Sequence, residues 1–164
     1  MSEISDNARV KVLLADFANQ DAAGKINLIG ANWSVTGIQP PGMTPPQTLV
    51  ILVDVPSRFH GEDFALSATL FDEAGDPVNV PGPTGEMQPL RVSQLVRAER
   101  PIIPGANVPP DAPGSVQVIL NFGGGIPLSP SMTYYWRVQI DTNTNPQWEA
   151  SFYVVGPPPA PVVG

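Results

Sequence analysis

The single histidine, His60, sits in Arg58-Phe59-His60-Gly61-Glu62-Asp63, with two carboxylates within three residues. An imidazole beside carboxylates is raw material for a metal site or a proton relay. A metal site needs at least one further strong ligand from elsewhere in the chain. The local spacing supplies none, so the stretch reads first as a polar loop leading into a strand. Serines and aspartates are plentiful enough to complete a Ser-His-Asp set by number alone. No Gly-x-Ser-x-Gly elbow is present to make that arrangement specific. Asp141-Thr142-Asn143-Thr144-Asn145 matches the first half of a calcium loop, with oxygen ligands at alternating positions. The match then fails. Pro146 stands where the loop needs a glycine, and Phe152 stands where it needs a bidentate glutamate. Asx side chains also populate ordinary hairpin turns, which is the preferred reading here and for the acidic turn at Asp72, Glu73 and Asp76. Gly123-Gly124-Gly125 lacks the Lys-Ser/Thr and the helix start of a phosphate cradle. With no cysteine, thiolate nucleophiles, disulfides and zinc ribbons are absent. The residues therefore predict neither an enzyme nor a bound metal or cofactor.

What remains is surface chemistry. Tyr135 and Tyr153 fall on the polar faces of two alternating segments. Exposed tyrosines are enriched at protein interfaces, and such a pair is equally open to cover by a neighbouring loop. Stacking on a sugar is the second reading. The net charge of −7 (8 basic against 15 acidic residues) argues against a nucleic-acid partner and against anionic membranes.

The elements that position these residues are strands. The chain has 164 residues, one domain's worth, and 36 of them are proline or glycine (21 + 15). That density excludes a helical bundle, since proline breaks helix interiors. A hydrophobic content of 42% with only 14% charged residues argues against disorder. Residues 134–141 alternate strictly, with Tyr134, Trp136, Val138 and Ile140 on one face. Residues 148–154 repeat the pattern with Trp148, Ala150, Phe152 and Val154, and the polar residues 142–147 between them read as a hairpin loop. Residues 115–122 and 64–71 alternate as well. Residues 47–55 are nearly continuous apolar sequence, which predicts a central strand covered on both faces. Residues 9–17 and 25–29 form the arms of an N-terminal hairpin. Gly30 interrupts the return arm at either a bulge or a corner between two sheets, before residues 32–38 resume in β-compatible types. Residues 87–97 are a weaker strand, and a helix over residues 6–19 is the alternative to the first arm. The sum is an all-β antiparallel sandwich, immunoglobulin-like or related, of about eight or nine strands.

Three segments are not strand-like. Residues 39–46 carry four prolines and predict an extended connection. Residues 100–114 hold five prolines together with Ile102 and Ile103, a long loop of the kind that carries function or moves. Residues 156–164, Gly-Pro-Pro-Pro-Ala-Pro-Val-Val-Gly, predict a polyproline II tail with an apolar tip. The expected organisation is a flexible N-terminus at 1–8, one domain over 9–155 and the tail at 156–164. The polar first nine residues have no signal-peptide core, and no apolar run is long enough to span a bilayer. The expected product is a soluble protein made in a cytoplasm.

Val12-Leu13-Leu14-Ala15-Asp16-Phe17-Ala18, followed by Gly24-Lys25-Ile26-Asn27-Leu28-Ile29-Gly30-Ala31-Asn32-Trp33, resembles the opening of a family of uncharacterised all-β proteins. Its members occur in actinobacteria and in their tailed phages. Ile126-Pro127-Leu128-Ser129-Pro130 entering Tyr134-Tyr135-Trp136-Arg137-Val138, and Ser151-Phe152-Tyr153-Val154 after it, resemble the same family. The family brings no catalytic residues. The resemblance implies a virion protein, above all a head-decoration or minor capsid protein on the outer surface of the shell. Its partners would be the major capsid protein and further copies of itself. A tail or baseplate component and a carbohydrate-binding module are the alternatives. The residues expected at the contact are Ile102, Ile103, Tyr135, Tyr153, Pro157, Pro158, Pro159, Val162 and Val163.

Overall fold

A computed structural model describes residues 2–156. Its eleven strands are β1 (Arg9–Gln20), β2 (Ile26–Ala31), β3 (Val35–Thr36), β4 (Gln47–Val55), β5 (Asp63–Asp72), β6 (Asn79–Pro81), β7 (Met87–Pro89), β8 (Arg91–Arg97), β9 (Gly114–Phe122), β10 (Met132–Ile140) and β11 (Asn143–Val154). A single helical turn, α1 (Glu3–Asn7), precedes them. One sheet runs β2-β1-β4-β9 and faces a second, β3-β11-β10-β5-β8; β6 and β7 form a small separate hairpin. Every pairing is antiparallel except β3 with β11, which is parallel.

The alternation seen in the sequence becomes the core. Leu49, Ile51, Val53 and Val55 of β4 meet Trp136, Val138 and Ile140 of β10 and Leu66, Ala68 and Leu70 of β5 in one apolar cluster. β4 is buried on its other face too, and the hairpin explains how. Beyond Ala15 the β1–β2 arm leaves the sheet and folds back over β4 and β9. Gln20 Nε2 thereby donates to Gln117 Oε1 at 3.2 Å, across the intervening strand. Val50 and Ala18 are shut from solvent outside the main core. The return arm bends at Gly30, whose φ of +58° suits glycine. A Cβ there would also run into the Asp16 carboxylate. β2 keeps its register with β1 through Ala31, and the chain then crosses to the second sheet as β3, so the corner follows Gly30 at residues 32–34, where Asn32 has φ +64°.

Several expectations are corrected. Residues 2–8 are an ordered part of the domain, not a flexible extension before it. The Ser2 side chain caps α1 by accepting from the Ser5 amide, and Ile4 is packed in the core. Ser5 Oγ accepts from Asn143 Nδ2 at 2.9 Å, tying the turn to β11. The helical alternative for residues 6–19 is replaced by α1 followed by β1. The polar stretch after β10 is a tight turn, with Asp141 at φ +55°, and most of it lies within β11. The pairing slips from Arg137↔Glu149 to Gln139↔Thr144, so residues 145–148 bulge. Residues 39–46 turn sharply, with the Gly42 and Met43 amides both donating to the Gln39 carbonyl. Residues 87–97 divide into β7 and β8 at Leu90. Its carbonyl accepts from the Leu70 amide and its amide donates to the Val78 carbonyl.

Candidate functional site

The two tyrosines lie on the outer face of the second sheet. Tyr135 pairs with Phe71 on one side and Ser151 on the other, and Thr133 pairs with Tyr153. The two are therefore diagonal neighbours near the end where β5 and β11 stop. Their surroundings differ. The Tyr135 ring stacks on Phe71 at 5.5 Å, and the Arg137 guanidinium lies 5.2 Å from the Tyr135 ring centre and 5.0 Å from that of Phe71. Glu149 Oε1 accepts from Arg137 Nε at 2.7 Å and holds the guanidinium above its ordinary pKa, with partial burial opposing. Tyr135 is thus built into a stacked aromatic–cation cluster. Tyr153 is the open member at 40% exposure, beside exposed Val35 and Val155.

Ile102 and Ile103 stand at the opposite end. Their loop leaves after Arg97, the partner of Asp63 at the start of β5, and returns at Gly114, the partner of Val55 at the end of β4. From Asp63 to Phe71 along β5 is about 26 Å at strand rise. The loop therefore does not cover the tyrosines, and the sequence-predicted contact residues make two patches rather than one. The loop is anchored at its base. Ala98 is fully buried, its carbonyl accepts from the Gly61 amide, and Arg97 grips Asp63 with two hydrogen bonds of 2.7 and 2.8 Å. That grip holds the Asp63 carboxyl below its ordinary value. Arg100 donates to the Val108 carbonyl across the loop, and the Ala106 amide closes a turn onto the Ile103 carbonyl at 3.1 Å. Ile102 is left 86% exposed at the rim of a groove of about 560 Å³. Pro157, Pro158, Pro159, Val162 and Val163 lie outside the described residues.

A third feature has no counterpart in the sequence pattern. Met43, Val80, Leu90, Phe122, Ile126 and Pro127 line an apolar cleft of about 420 Å³. The residues come from five separate segments and share no local pattern, so only the fold unites them. Phe122 lines the cleft while stacking on the buried Trp136 at 5.3 Å.

The Asp72, Asp141 and Asn145 side chains singled out in the sequence bond to backbone amides, whereas His60 Nε2 is buried without a hydrogen-bond partner among the described residues. Among the described residues no cluster of three or more His, Asp or Glu is placed to hold a metal. Asp141 Oδ1 accepts from the Ala65 amide of β5 at 3.0 Å, and Asn145 Oδ1 accepts from the Gln147 amide within the β11 bulge at 2.9 Å, so both calcium-like side chains bond to backbone amides. Asp72 Oδ1 likewise accepts from the amides of Ala74 and Asp76. The His60 ring packs against Gly114, where a Cβ would come within 2.7 Å of Nε2. No helix among the described residues is long and apolar enough to cross a membrane. No family model matches the sequence, and no curated protein matches it.

Proposed function

We propose that the chain is a structural binding module that joins protein neighbours through its two ends. The observation that carries this reading is the placement of exposed apolar side chains at opposite ends of one packed body. Ile102 and Ile103 occupy one end; Val35, Tyr153 and Val155 occupy the other. Contiguous exposed apolar surface on a monomer favours a protein partner. A body with such surface at both ends bridges neighbours in an array, where many weak contacts add by avidity. Together with the family resemblance, this points to a tailed-phage capsid decoration or minor capsid protein. It would bind the mature shell and stabilise it by mass action, in contact with the major capsid protein and with its own copies.

The fold reading that goes with this is an immunoglobulin-like sandwich. In the usual lettering, β1, β4 and β9 correspond to A, B and E; β5, β10 and β11 correspond to C, F and G; β8 takes the place of C′. The test is co-sedimentation of the purified protein with expanded heads of a tailed actinobacterial phage. Ile102→Ser with Ile103→Ser should lower the bound amount at least tenfold while leaving the thermal midpoint unchanged.

A further inference from the structure

The apolar cleft and the point where the described chain stops lie at the same end of the molecule. After β11, the Val155 amide donates to the Thr36 carbonyl at 2.9 Å. Gly156 then passes close to Ser131 and Pro130. A Cβ on it would lie 2.9 Å from Ser131 Oγ and 3.7 Å from Pro130 Cβ. Pro130 is three residues from Pro127 on the cleft wall, at most about 10 Å of chain. Residues 157–164 follow, with the sequence Pro-Pro-Pro-Ala-Pro-Val-Val-Gly. As polyproline II these eight residues would span about 25 Å. That is enough to cross from Gly156 to the cleft and lie along it.

We propose that the cleft is the docking groove for the protein's own proline-rich segment, residues 157–164. The chemistries match. The segment has no charged side chain, and neither does the lining of the cleft. Proline-rich strands on aromatic-lined grooves are a recurrent recognition mode, because the segment loses little entropy on docking. Phe122 supplies the aromatic floor, fixed by its stack on Trp136. The opposite wall is pre-formed. The Thr44 amide donates to the Ile126 carbonyl at 3.0 Å, and the Ile126 amide donates to Thr44 Oγ1 at 2.9 Å. Gly125 at φ +75° presses so close to the Thr44 carbonyl that no side chain fits there. The short path favours the same chain over a second copy, since a linked segment acts at an effective concentration in the millimolar range. The inference stands apart from lattice binding: a cleft occupied in this way closes an apolar surface in the free protein.

The absence of cysteine allows a clean test. A nitroxide is attached at Gly164→Cys, and paramagnetic broadening is read at the backbone amides of Met43, Leu90, Gly125 and Ile126. The reference carries the same label with residues 157–163 replaced by Gly and Ser. Docking predicts at least threefold stronger broadening at those four amides in the native segment than in the reference. It also predicts none in a mixture of isotope-labelled, spin-free chains with spin-labelled, isotope-free ones. Leu90→Asn should bring the native segment down to the reference level. Equal broadening in the native and reference segments would overturn the proposal. So would broadening seen only in the mixture, which would make a second copy the occupant, or broadening centred on residues 99–108.

Discussion

Thr44 ties the loop before β4 to the loop before β10 through one hydroxyl. Its Oγ1 accepts two buried hydrogen bonds, from the Ile126 amide and from Gln47 Nε2, and donates a partly buried one to the Pro45 carbonyl. Thr44→Val keeps the shape and strands two buried donors. It should therefore cost about 2 kcal/mol in a urea titration. Gly125→Ala meets both a positive φ and the Thr44 carbonyl, and should cost about 2–3 kcal/mol in the same assay. Asp63 gives a pH signature. Its pKa is depressed in the folded state by Arg97, so the ion pair stabilises above the ordinary value of 3.8 and is lost as pH falls through the lower folded value. The urea midpoints of the native protein and Asp63→Asn should differ at pH 6 and converge as pH falls below the ordinary carboxylate range. At this scale the sequence is legible where chemistry is local. The acidic turn at residues 72–76 is held by Asp72 Oδ1, which accepts from the amides of Ala74 and Asp76, whereas Asp141 bonds the Ala65 amide 76 positions away, which its own stretch could not show. The role of Thr44 is invisible in the sequence, because its partner Ile126 is 82 positions away.

Strands with strong alternation are legible as elements, and β10, β11, β9 and β5 follow their patterns closely. β4 is legible as covered on both faces, but what covers it is not. A local pattern can show that Val50 must be buried; it cannot show that a hairpin arm bends back over it. β3, β6 and β7 are two or three residues long and are defined by their partners, so no periodicity announces them. α1 escapes notice for a similar reason, since one turn is too short to display an apolar face and only Ile4 reaches the core. Ile4→Ala should cost about 2–3 kcal/mol if the turn is an integral part of the domain. A flexible extension would show no loss. Gly30→Val strains the return arm β2 at a positive φ and should raise amide exchange at Ala18 and Leu28 by at least tenfold, with β10 and β11 unaffected.

The molecule as a whole is a packed two-sheet body with apolar groups at both ends, and its proposed role follows from that separation. Ile102, Ile103, Tyr135 and Tyr153 read as one surface in the sequence, because composition carries no distances. The strand register separates them. In the proposed role each end faces a different neighbour, and the net charge of −7 (8 basic against 15 acidic residues) disfavours self-association of free copies. The most direct measurement is the number of copies that co-sediment with expanded, undecorated phage heads as protein concentration rises. The account predicts saturable binding at many copies per particle, in a fixed ratio to the shell protein and sharply reduced by the Ile102→Ser and Ile103→Ser pair. Binding no greater than that of an unrelated acidic β-domain, or only a few copies per particle, would contradict it.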